Sequence, residues 1–300
     1  MSIPPAKLSV VFTTYNSPAW LEKVFWGLRN QSFTNFEVIV ADDGSTAETA
    51  ELIERERQKS SFEVRHVWQA DKGFRKCRIL NKALLHATTD YVVLTDGDCI
   101  LRGDFLAVHA AQARPNTYLS GSYNKLPLET SQAIDEQDVA FGLCFQVRWL
   151  RQNGMRFDRK ALKLRASRRV APILNRLTVT RCNLKGSNAS VWLSDALAVN
   201  GFDEGMQWGG LDRDFGVRLR NHGLRPRHVR YDAICVHLDH ARGYRDPQAV
   251  ADNRRLREQR ERSGESWTER GIAQILEGGY EPECDYALTK LPERARLAAT

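Results

Sequence analysis

The sequence predicts an α/β fold with a mostly parallel sheet flanked by helices, in one elaborated domain. Over about residues 1–100, short β-rich apolar runs alternate with segments of helical periodicity. Strands that alternate with helices form parallel sheets through right-handed crossovers. Polar signatures follow three of the apolar runs, where the carboxyl ends of parallel strands bind ligands. This shared position is stronger evidence than any one of the signatures.

The predicted elements follow one another without a long linker. The apolar runs predict four strands, at 8–13, 36–42, 62–68 and 91–96, and the segments between them predict helices at 18–30, 46–59 and 75–88. Ser17 and Pro18 are typical of the start of the first helix. Ser45 and Glu48 have the spacing of a capping box and predict the start of the second. A later strand is predicted in "YDAICVH", which ends at His237.

Composition narrows the class of protein. No apolar run approaches the roughly 20 residues that span a bilayer, and residues 1–7 lack the pattern of a signal peptide. The six cysteines are scattered, which is typical of reduced thiols in a cytosolic protein. The net charge of +7 favours an anionic partner: a nucleotide, a nucleic acid or a phospholipid surface.

Two of the strand-end signatures carry carboxylates. In "DDGS", Asp42 and Asp43 can accept hydrogen bonds from a nucleobase, and Gly44 lets the backbone turn closely past a ligand. A capped strand-to-helix turn explains the same residues. In "DGD", Asp96 and Asp98 have the spacing to share a hard divalent ion that also binds phosphate oxygens. The alternative there is a polar turn that ends a buried strand.

Four segments in this order resemble the nucleotide-sugar half of glycosyltransferase family 2, which has the GT-A fold. They are "LSVVFTTYN", "VIVADDGST", "DKGFRKCRILNKAL" and "YVVLTDGDC". The stretch from "GFDEGMQWGG" to "CVHLDH" resembles the acceptor-side region of chondroitin-polymerase-like and galactosyltransferase-like members. The resemblance covers about residues 8–240.

The resemblance implies roles for the strand-end residues. Thr13, Tyr15 and Asp43, with Asp42 nearby, would line the uracil and ribose pocket. Asp96 would contact the ribose or the metal ion.

A metal site is also implied, for Mn²⁺ or Mg²⁺. Asp96 and Asp98 would hold the ion, and His237 matches a position that often completes the site. His240 is the competing candidate, and the alternative for His237 is a neutral surface histidine.

The helix after "DKGF" holds further donor-side candidates. Arg78 and Asn81 lie where the family places contacts to the donor. The alternative is a solvated basic face, which we favour for Lys76 and Lys82 over Arg78.

The motif "WGGLDRDFG" resembles a family tetrad, Gly-Gly-Glu-Asp, whose last residue is the general base. Asp212 keeps that position, and the dipole of the helix that starts there stabilises its charged form. Gly209 and Gly210 would let an acceptor sugar approach the backbone, and Trp208 offers a flat apolar face. Leu211 replaces the glutamate, so acceptor identity does not carry over from the relatives.

Leu211 has two interpretations. It contacts the acceptor, or it belongs to an apolar stripe with Phe215 and Leu219 that faces the core. Asp214 is interpreted as an ordinary acid at a helix N-terminus.

A basic insertion and a charged end complete the chain. Residues 156–181 carry nine basic residues among apolar ones, which favours an anionic membrane surface or a phosphorylated lipid acceptor over a solvated helix. We divide the chain into a GT-A domain at 1–245, with a nucleotide-sugar half at about 1–100 and an acceptor half at 101–245. A charged helical tail is expected at 246–300, loosely ordered from about 278 onward.

Together these features predict an inverting, metal-dependent glycosyltransferase. It would move a sugar from a nucleoside diphosphate-sugar, with a preference for UDP, to a glycan or glycolipid in bacterial surface polysaccharide or lipopolysaccharide synthesis. The expected location is cytoplasmic and peripheral on the inner face of the plasma membrane. The alternatives are transfer to a polyprenyl phosphate and a basic nucleic-acid-binding protein, although no nucleic-acid motif is present and we expect no such partner. A nucleotidyltransferase should carry a Gly-rich, Lys-containing loop after the first strand, and "TTYNSPAW" is not one.

Overall fold

The computed structural model describes residues 4–156, 159–167, 169–240 and 246–278. Its strands are β1 (Leu8–Thr14), β2 (Phe36–Asp42), β3 (Glu63–Trp68), β4 (Tyr91–Asp96), β5 (Cys99–Leu101), β6 (Thr117–Ser120), β7 (Ser122–Lys125), β8 (Ala189–Trp192), β9 (Arg225–His228) and β10 (Ile234–His237). Its α-helices are α1 (Pro18–Arg29), α2 (Ala47–Lys59), α3 (Lys76–Leu85), α4 (Phe105–Gln112), α5 (Leu128–Ala133), α6 (Glu136–Ala140), α7 (Val147–Gln152), α8 (Ala171–Arg176), α9 (Leu193–Ala198), α10 (Leu211–Asn221), α11 (Pro247–Ser263) and α12 (Ile272–Glu277). Two 3₁₀ segments lie at Leu143–Phe145 and Arg159–Arg165.

The main sheet has seven strands in the order β3-β2-β1-β4-β8-β6-β9. The four strands β3, β2, β1 and β4 are mutually parallel, and β8 runs antiparallel to β4 and β6. The predicted mostly parallel α/β sheet is confirmed. Because β1, β2 and β4 run in the same direction, their carboxyl ends and the loops that follow them meet at one edge.

Alternation along the buried strands divides the core between the two faces of this sheet. In β1, Val10 and Phe12 join the cluster that packs under α1, α2 and α4. Val11 points to the opposite face, where it joins the cluster that includes residues of α3, α10 and α12. This is the two-residue period of a strand that is buried on both sides.

A second sheet, in the order β5-β10-β7, lies beside the first. Strand β10 pairs antiparallel with β5, so that His237 is opposite Cys99. It pairs parallel with β7, so that His237 is also opposite Lys125. This pairing brings the end of β10 to the loop that carries Asp98.

Two predicted helix boundaries are wrong. The helix predicted at 75–88 ends at Leu85. The second helix is preceded by Thr46 rather than by a capping box from Ser45, and no side chain caps it. The reason is that the Ser45 hydroxyl accepts a hydrogen bond from the Asn16 backbone N–H at 2.9 Å, which ties two strand-end loops together.

The segment predicted as a charged tail packs against the rest of the protein. Helix α11 lies on α10, and α12 lies on α3, with Ile272 and Ile275 buried in the core. Residues 279–300, expected to be loosely ordered, lie outside the described residues. Within the described ranges, none of the helices combines the length and apolar content needed to cross a membrane.

Candidate active site

A cavity of about 770 Å³ opens at the carboxyl ends of β1, β2 and β4. This volume is in the range of small-molecule sites. All three strand-end signatures contribute to its wall, together with the ends of β10 and α3 and the loop before α10. The lining residues are Thr13, Thr14, Tyr15, Asn16, Ser17, Trp20, Asp43, Asp71, Gly73, Phe74, Lys76, Asp96, Gly97, Asp98, Tyr123, Trp208, Gly209, His237 and His240.

Of the two neighbouring aspartates after β2, the structure brings one to the cavity. Asp43 lines it and accepts hydrogen bonds from Gln69 Nε2 at 2.6 Å and from the Arg75 backbone N–H at 2.9 Å. Burial raises the pKa of Asp43, and these two donors partly oppose that rise. Asp42 is fully buried behind the cavity, where its carboxylate contacts His66 Nε2 at 2.9 Å.

Tyr15 and Asp71 form a polar pair at the cavity wall. Tyr15 is half exposed, and its hydroxyl donates to Asp71 Oδ2 at 2.9 Å. Thr13, the other predicted β1 residue, also lines the cavity.

Lys76 belongs to the site, so our interpretation of it as part of a solvated face is wrong. Its Nζ lies 2.7 Å from Asp96 Oδ1. Burial alone would lower the pKa of Lys76, but the adjacent Asp96, with Asp98 and Asp212 further away, raises it above its usual value. The site therefore holds a fixed positive charge beside its carboxylates.

Four groups converge near the turn after β4 in an arrangement that fits a divalent cation. Ligand atoms of Asp98, Cys99 and His237 lie within 4.8 Å of one another. His240 Nε2 is 3.0 Å and His237 Nε2 is 3.4 Å from Asp98 Oδ2. Burial raises the pKa of Cys99 far above its usual value, which keeps this thiol protonated and a poor ligand.

The hydrogen bonding of His237 supports this fit. Its Nδ1–H donates to the Leu238 carbonyl at 2.7 Å, an orientation that in a neutral ring leaves the Nε2 lone pair facing Asp98. Burial would raise the pKa of Asp98, but the hydrogen bond from His240 and the positive charge of Lys76 are among the interactions that keep it low. The structure does not bring Asp96 into this cluster, since its Oδ1 is held by Lys76.

Arg78 and Asn81 do not line the cavity. Arg78 Nη1 pairs with Glu204 at 3.0 Å. Asn81 is fully buried, donates to the Phe202 carbonyl at 2.8 Å and accepts from the Phe202 N–H at 2.7 Å. Both residues connect α3 to the segment after α9. Lys82 is also buried, so our interpretation of it as a solvated residue is wrong.

Asp212 lies at the start of α10, beside the cavity rather than in its wall. Its Oδ2 accepts from the Gly186 N–H at 3.1 Å, and its Oδ1 accepts from the Arg213 N–H at 2.9 Å. Burial raises the pKa of Asp212, and the backbone donors only partly offset this effect. The charges of Asp96 and Lys76 also act on it, which ties it electrostatically to the cavity.

Trp208 forms the aromatic edge of the cavity. Its ring stacks on Phe74 with centroids 4.2 Å apart and an interplanar angle of 28°. Gly209 and Gly210 both have φ of +86°, in the left-handed region that favours glycine. These two glycines turn the chain from Trp208 into α10, and Asn253 Nδ2 fixes the turn by donating to the Gly209 carbonyl at 2.9 Å.

Leu211 is 9% exposed and belongs to the core cluster with Phe215 and Leu219. Of its two interpretations, the structure therefore favours the core, and the predicted acceptor contact is not seen. Gly210 likewise lies outside the cavity wall, whereas Gly209 lines it.

Asp214 is not an ordinary helix-terminal acid, contrary to our interpretation. It is fully buried and accepts from Arg218 Nε at 2.9 Å and from Arg260 Nη1 at 2.9 and 3.0 Å. Arg260 also pairs with Asp203 at 2.6 Å. This buried charge network, of Asp203, Asp214, Arg218 and Arg260, joins α10 to α11.

Sequence reasoning gave no role to Asp71, Phe74 or Lys76. Asp71 and Phe74 belong to the loop that follows β3. The strand-end rule that identified "DDGS" and "DGD" applies equally to this loop and was the available signal. The pairing of Lys76 with Asp96 depends on residues 20 positions apart, which periodicity does not reveal.

Comparison with known proteins agrees with this architecture. Residues 9–140 match the family model described as "Glycosyl transferase family 2". The chain is 28% identical over 249 residues to "Validoxylamine A glucosyltransferase" of Streptomyces hygroscopicus subsp. jinggangensis, covering 78% of this chain and 56% of that protein. It is 30% identical over 248 residues to "Chondroitin synthase" of Escherichia coli, covering 77% and 34%. The chain thus spans about half of the first relative's length and about a third of the second's.

Solved structures share the fold. Staphylococcus aureus TarS 1–349 in complex with UDP-GlcNAc has a TM-score of 0.62 at 19% identity, covering 98% of this chain and 78% of that one. The mannosyltransferase PcManGT of Pyrobaculum calidifontis, in complex with GDP-Man and Mn²⁺, has a TM-score of 0.53 at 21% identity, covering 80% and 59%. The predicted resemblance to family 2 glycosyltransferases and the predicted GT-A fold are confirmed, and the named relatives support a transferase.

Proposed function

We propose that this chain, which carries a family 2 glycosyltransferase region in a GT-A fold, is an inverting, metal-dependent glycosyltransferase. Its donor substrate is a nucleoside diphosphate-sugar. The observation that carries the proposal is the cavity of about 770 Å³ in which Asp43, Asp96 and Asp98 meet at one sheet edge. A nucleoside diphosphate-sugar needs a base pocket, a diphosphate site and a site for the transferred sugar in one groove. The three strand-end loops supply groups suited to each of them.

The donor lies across the strand ends. Tyr15 packs against the base, and Asp43 accepts a hydrogen bond from a base N–H, as uracil N3–H would donate. Asp96 receives the ribose, and Lys76, which Asp96 holds in place, adds positive charge near the diphosphate. The structure of Staphylococcus aureus TarS 1–349 in complex with UDP-GlcNAc, which shares this fold, supports a UDP-sugar as the donor.

A divalent cation bound by Asp98 and His237, with His240 as the further candidate ligand, would neutralise the leaving diphosphate. A mixed carboxylate and imidazole set suits a transition-metal ion such as Mn²⁺ better than Mg²⁺. The presence of Mn²⁺ in the structure of PcManGT supports this choice.

Asp212 acts as the general base. Its carboxylate takes the proton of an acceptor hydroxyl, whose oxygen forms the new bond to the anomeric carbon while the bond to the diphosphate oxygen breaks. Attack from the face opposite the leaving group inverts that carbon. A base works best with a pKa near the working pH, and burial shifts the pKa of Asp212 in that direction. Trp208 offers its ring to the acceptor sugar.

The acceptor is a glycan or glycolipid of a bacterial surface polysaccharide or lipopolysaccharide, reached at the inner face of the plasma membrane. Exposed apolar residues of the basic insertion support membrane contact. Val170, Ile173, Leu177 and Val179 are 46–98% exposed, next to exposed Arg169 and Arg176. Lys163 does not contribute, because it is buried and donates to Ser122 Oγ at 2.8 Å. Arg168 lies outside the described residues.

Thermal unfolding with nucleotides tests the donor and the metal together. UDP or a UDP-sugar with Mn²⁺ should raise the Tm of the parent, since a ligand of the native state stabilises it. Asp98→Ala should abolish the metal-dependent part of the rise and keep the fold. Glu51→Ala, an exposed acid on α2, is the matched control and should behave as the parent. An equal Mn²⁺-dependent rise in Asp98→Ala would contradict the metal assignment.

Co-sedimentation with vesicles tests the membrane surface. The chain should co-sediment with vesicles that contain anionic lipid and not with neutral vesicles. Each basic residue near an acidic surface contributes about 1 kcal/mol to the binding free energy. Added salt should weaken the binding. Ile173→Glu/Leu177→Glu should lose it without loss of fold, since both side chains are exposed. Equal binding to neutral and anionic vesicles at low salt would rule the surface out.

A further inference from the structure

A second, smaller recess lies next to Asp212, since its lining includes Arg213, the residue that follows Asp212 in the chain. It has a volume of about 70 Å³, and its titratable lining residues are all basic side chains. They are Arg181, Lys185, Arg213, His228 and Arg230. The recess is too small for a sugar nucleotide and has the size of a single small oxyanion.

Few acidic side chains balance the positive charges of this recess: Glu261 pairs with Arg181, and the charge of Asp212 acts on Lys185. Among the described residues, neither Lys185 nor Arg213 makes a side-chain hydrogen bond or an ion pair, and the Nε of Arg230 is buried without a partner. Burial, followed by the charges of Arg230 and Arg213, lowers the pKa of Lys185. Arg181 differs, since it pairs with Glu261 at 2.8 Å. Basic groups that repel one another in this way are stabilised when an anion binds between them.

Two contacts hold the other side of the recess in shape. Arg230 Nη1 donates to Thr180 Oγ1 at 3.0 Å, and His228 Nε2 lies 2.9 Å from the Thr180 carbonyl. Because that carbonyl can only accept, Nε2 of His228 carries the hydrogen. The guanidinium of Arg230 is thereby positioned before any ligand arrives.

The recess adjoins the proposed base. Gly186, which donates its N–H to Asp212 Oδ2 at 3.1 Å, follows Lys185 directly, and Arg213 follows Asp212. Asp212 therefore stands between the donor cavity, with Lys76 and Asp96, and the basic recess. An acceptor whose hydroxyl reached Asp212 would therefore come close to the basic recess that Lys185 and Arg213 line.

We propose that this recess binds a phosphate group of the acceptor, so that the acceptor is a phosphorylated glycan or a lipid-linked phosphate. This inference rests on the proposed function, because it takes Asp212 as the base that the acceptor approaches. Phosphate carries the two negative charges and several acceptor oxygens that unpaired lysine and arginine groups bind best. The recess then selects acceptors by charge, while the donor cavity selects the nucleotide.

Calorimetric titration of the full chain with glycerol 3-phosphate tests this inference. The titration is done with saturating UDP and Mn²⁺, so that the donor cavity is filled, and at constant ionic strength. Glycerol is the uncharged control. The parent should bind glycerol 3-phosphate and not glycerol. Lys185→Gln/Arg213→Gln should weaken binding by roughly tenfold or more, as loss of charge-assisted contacts predicts. These side chains have no partner in the described part of the chain, so the variant should keep the parent Tm.

Arg148→Gln/Arg151→Gln is the matched control. It removes two exposed arginines of α7 and should bind as the parent does. No binding by the parent, or equal affinity in Lys185→Gln/Arg213→Gln, would overturn the inference. Either result leaves the nucleotide-dependent rise in Tm untouched, so failure here is distinguishable from failure of the proposed function.

Vesicles identify the source of the phosphate. Binding to phosphatidic acid vesicles over phosphatidylcholine vesicles that depends on Lys185 and Arg213 would assign the recess to a lipid phosphate. If glycerol 3-phosphate binds but vesicle binding does not depend on Lys185 and Arg213, the recess is assigned to the phosphate of a phosphorylated glycan. Both results support a phosphate site.

Discussion

The carboxylates of the donor cavity and those of α10 are held in different ways. Asp43 and Asp98 sit on short loops after parallel strands, where a few hydrogen bonds from nearby loops orient them. Asp214 is held by Arg218 and by Arg260, which comes from a helix 46 residues further along the chain. The loops supply binding groups that can be changed without loss of the fold. On α10, the proposed base Asp212 and Asp214 of the network that anchors the helix are separated by only one residue.

The largest effect is expected from a substitution of Asp212, the residue of α10 that we propose as the general base. Asp212→Asn keeps the shape of the side chain but cannot take a proton, so sugar transfer should fall by about 10²–10⁴-fold. Nucleotide binding and Tm should change little. In the parent, transfer should fall as acid protonates Asp212, at a pH above the usual carboxyl value of 3.8 because burial raises its pKa. Near-normal transfer by Asp212→Asn, measured beside the exposed control Asp252→Asn, would remove the base assignment.

A change in the buried network should instead affect stability. Arg260→Met leaves Asp203 and part of the Asp214 carboxylate buried without their arginine, which should cost about 3–5 kcal/mol of unfolding free energy. Arg262→Gln, on the exposed side of the same helix, should cost less than about 0.5 kcal/mol. Denaturant unfolding measures both. If Arg260→Met is as stable as Arg262→Gln, the network does not anchor α10.

The difference between the strand-end loops and α10 also explains which features could be predicted from the sequence. The strands and the polar signatures at their ends follow from local patterns, since a strand end and its loop are continuous in sequence. The predicted donor-side roles of Thr13, Tyr15 and Asp43 come from the family resemblance instead. The status of Asp214 could not be predicted, because its arginine partner Arg260 lies in a segment expected to be a charged tail. The role of Lys76, at the start of α3, could not be predicted either, because its partner Asp96 lies at the end of β4.

Leu211 shows a third limit. A leucine that starts a helix beside a catalytic motif fits both a substrate contact and the core. Only the packing of α10 against the sheet, which buries Leu211 to 9% exposure, distinguishes them.

Leu211→Glu tests that packing with a moderate effect. A glutamate there places a carboxylate in the core, which should cost about 1–3 kcal/mol. Leu211→Met, which conserves volume, should cost less than about 1.5 kcal/mol. Thermal unfolding of the two variants provides the comparison. A fully stable Leu211→Glu with altered acceptor preference would show that this position faces the acceptor instead.

The smallest expected effect concerns the contact that joins the two regions. Phe74 belongs to the loop after β3 and Trp208 to the turn before α10, and their rings stack with centroids 4.2 Å apart. Stacked aromatic pairs contribute about 0.5–1.5 kcal/mol beyond their buried area. A double-mutant cycle of Phe74→Leu and Trp208→Leu should therefore give a coupling energy of that size in unfolding free energy. If UDP binding orders the loop after β3, the same coupling should also appear in nucleotide affinity, because the stack then connects donor binding to the acceptor edge. Tyr15→Phe with Trp208→Leu is the control cycle, since Tyr15 bonds to Asp71 rather than to Trp208. Additive effects in the first cycle would mean that the two regions bind their substrates independently.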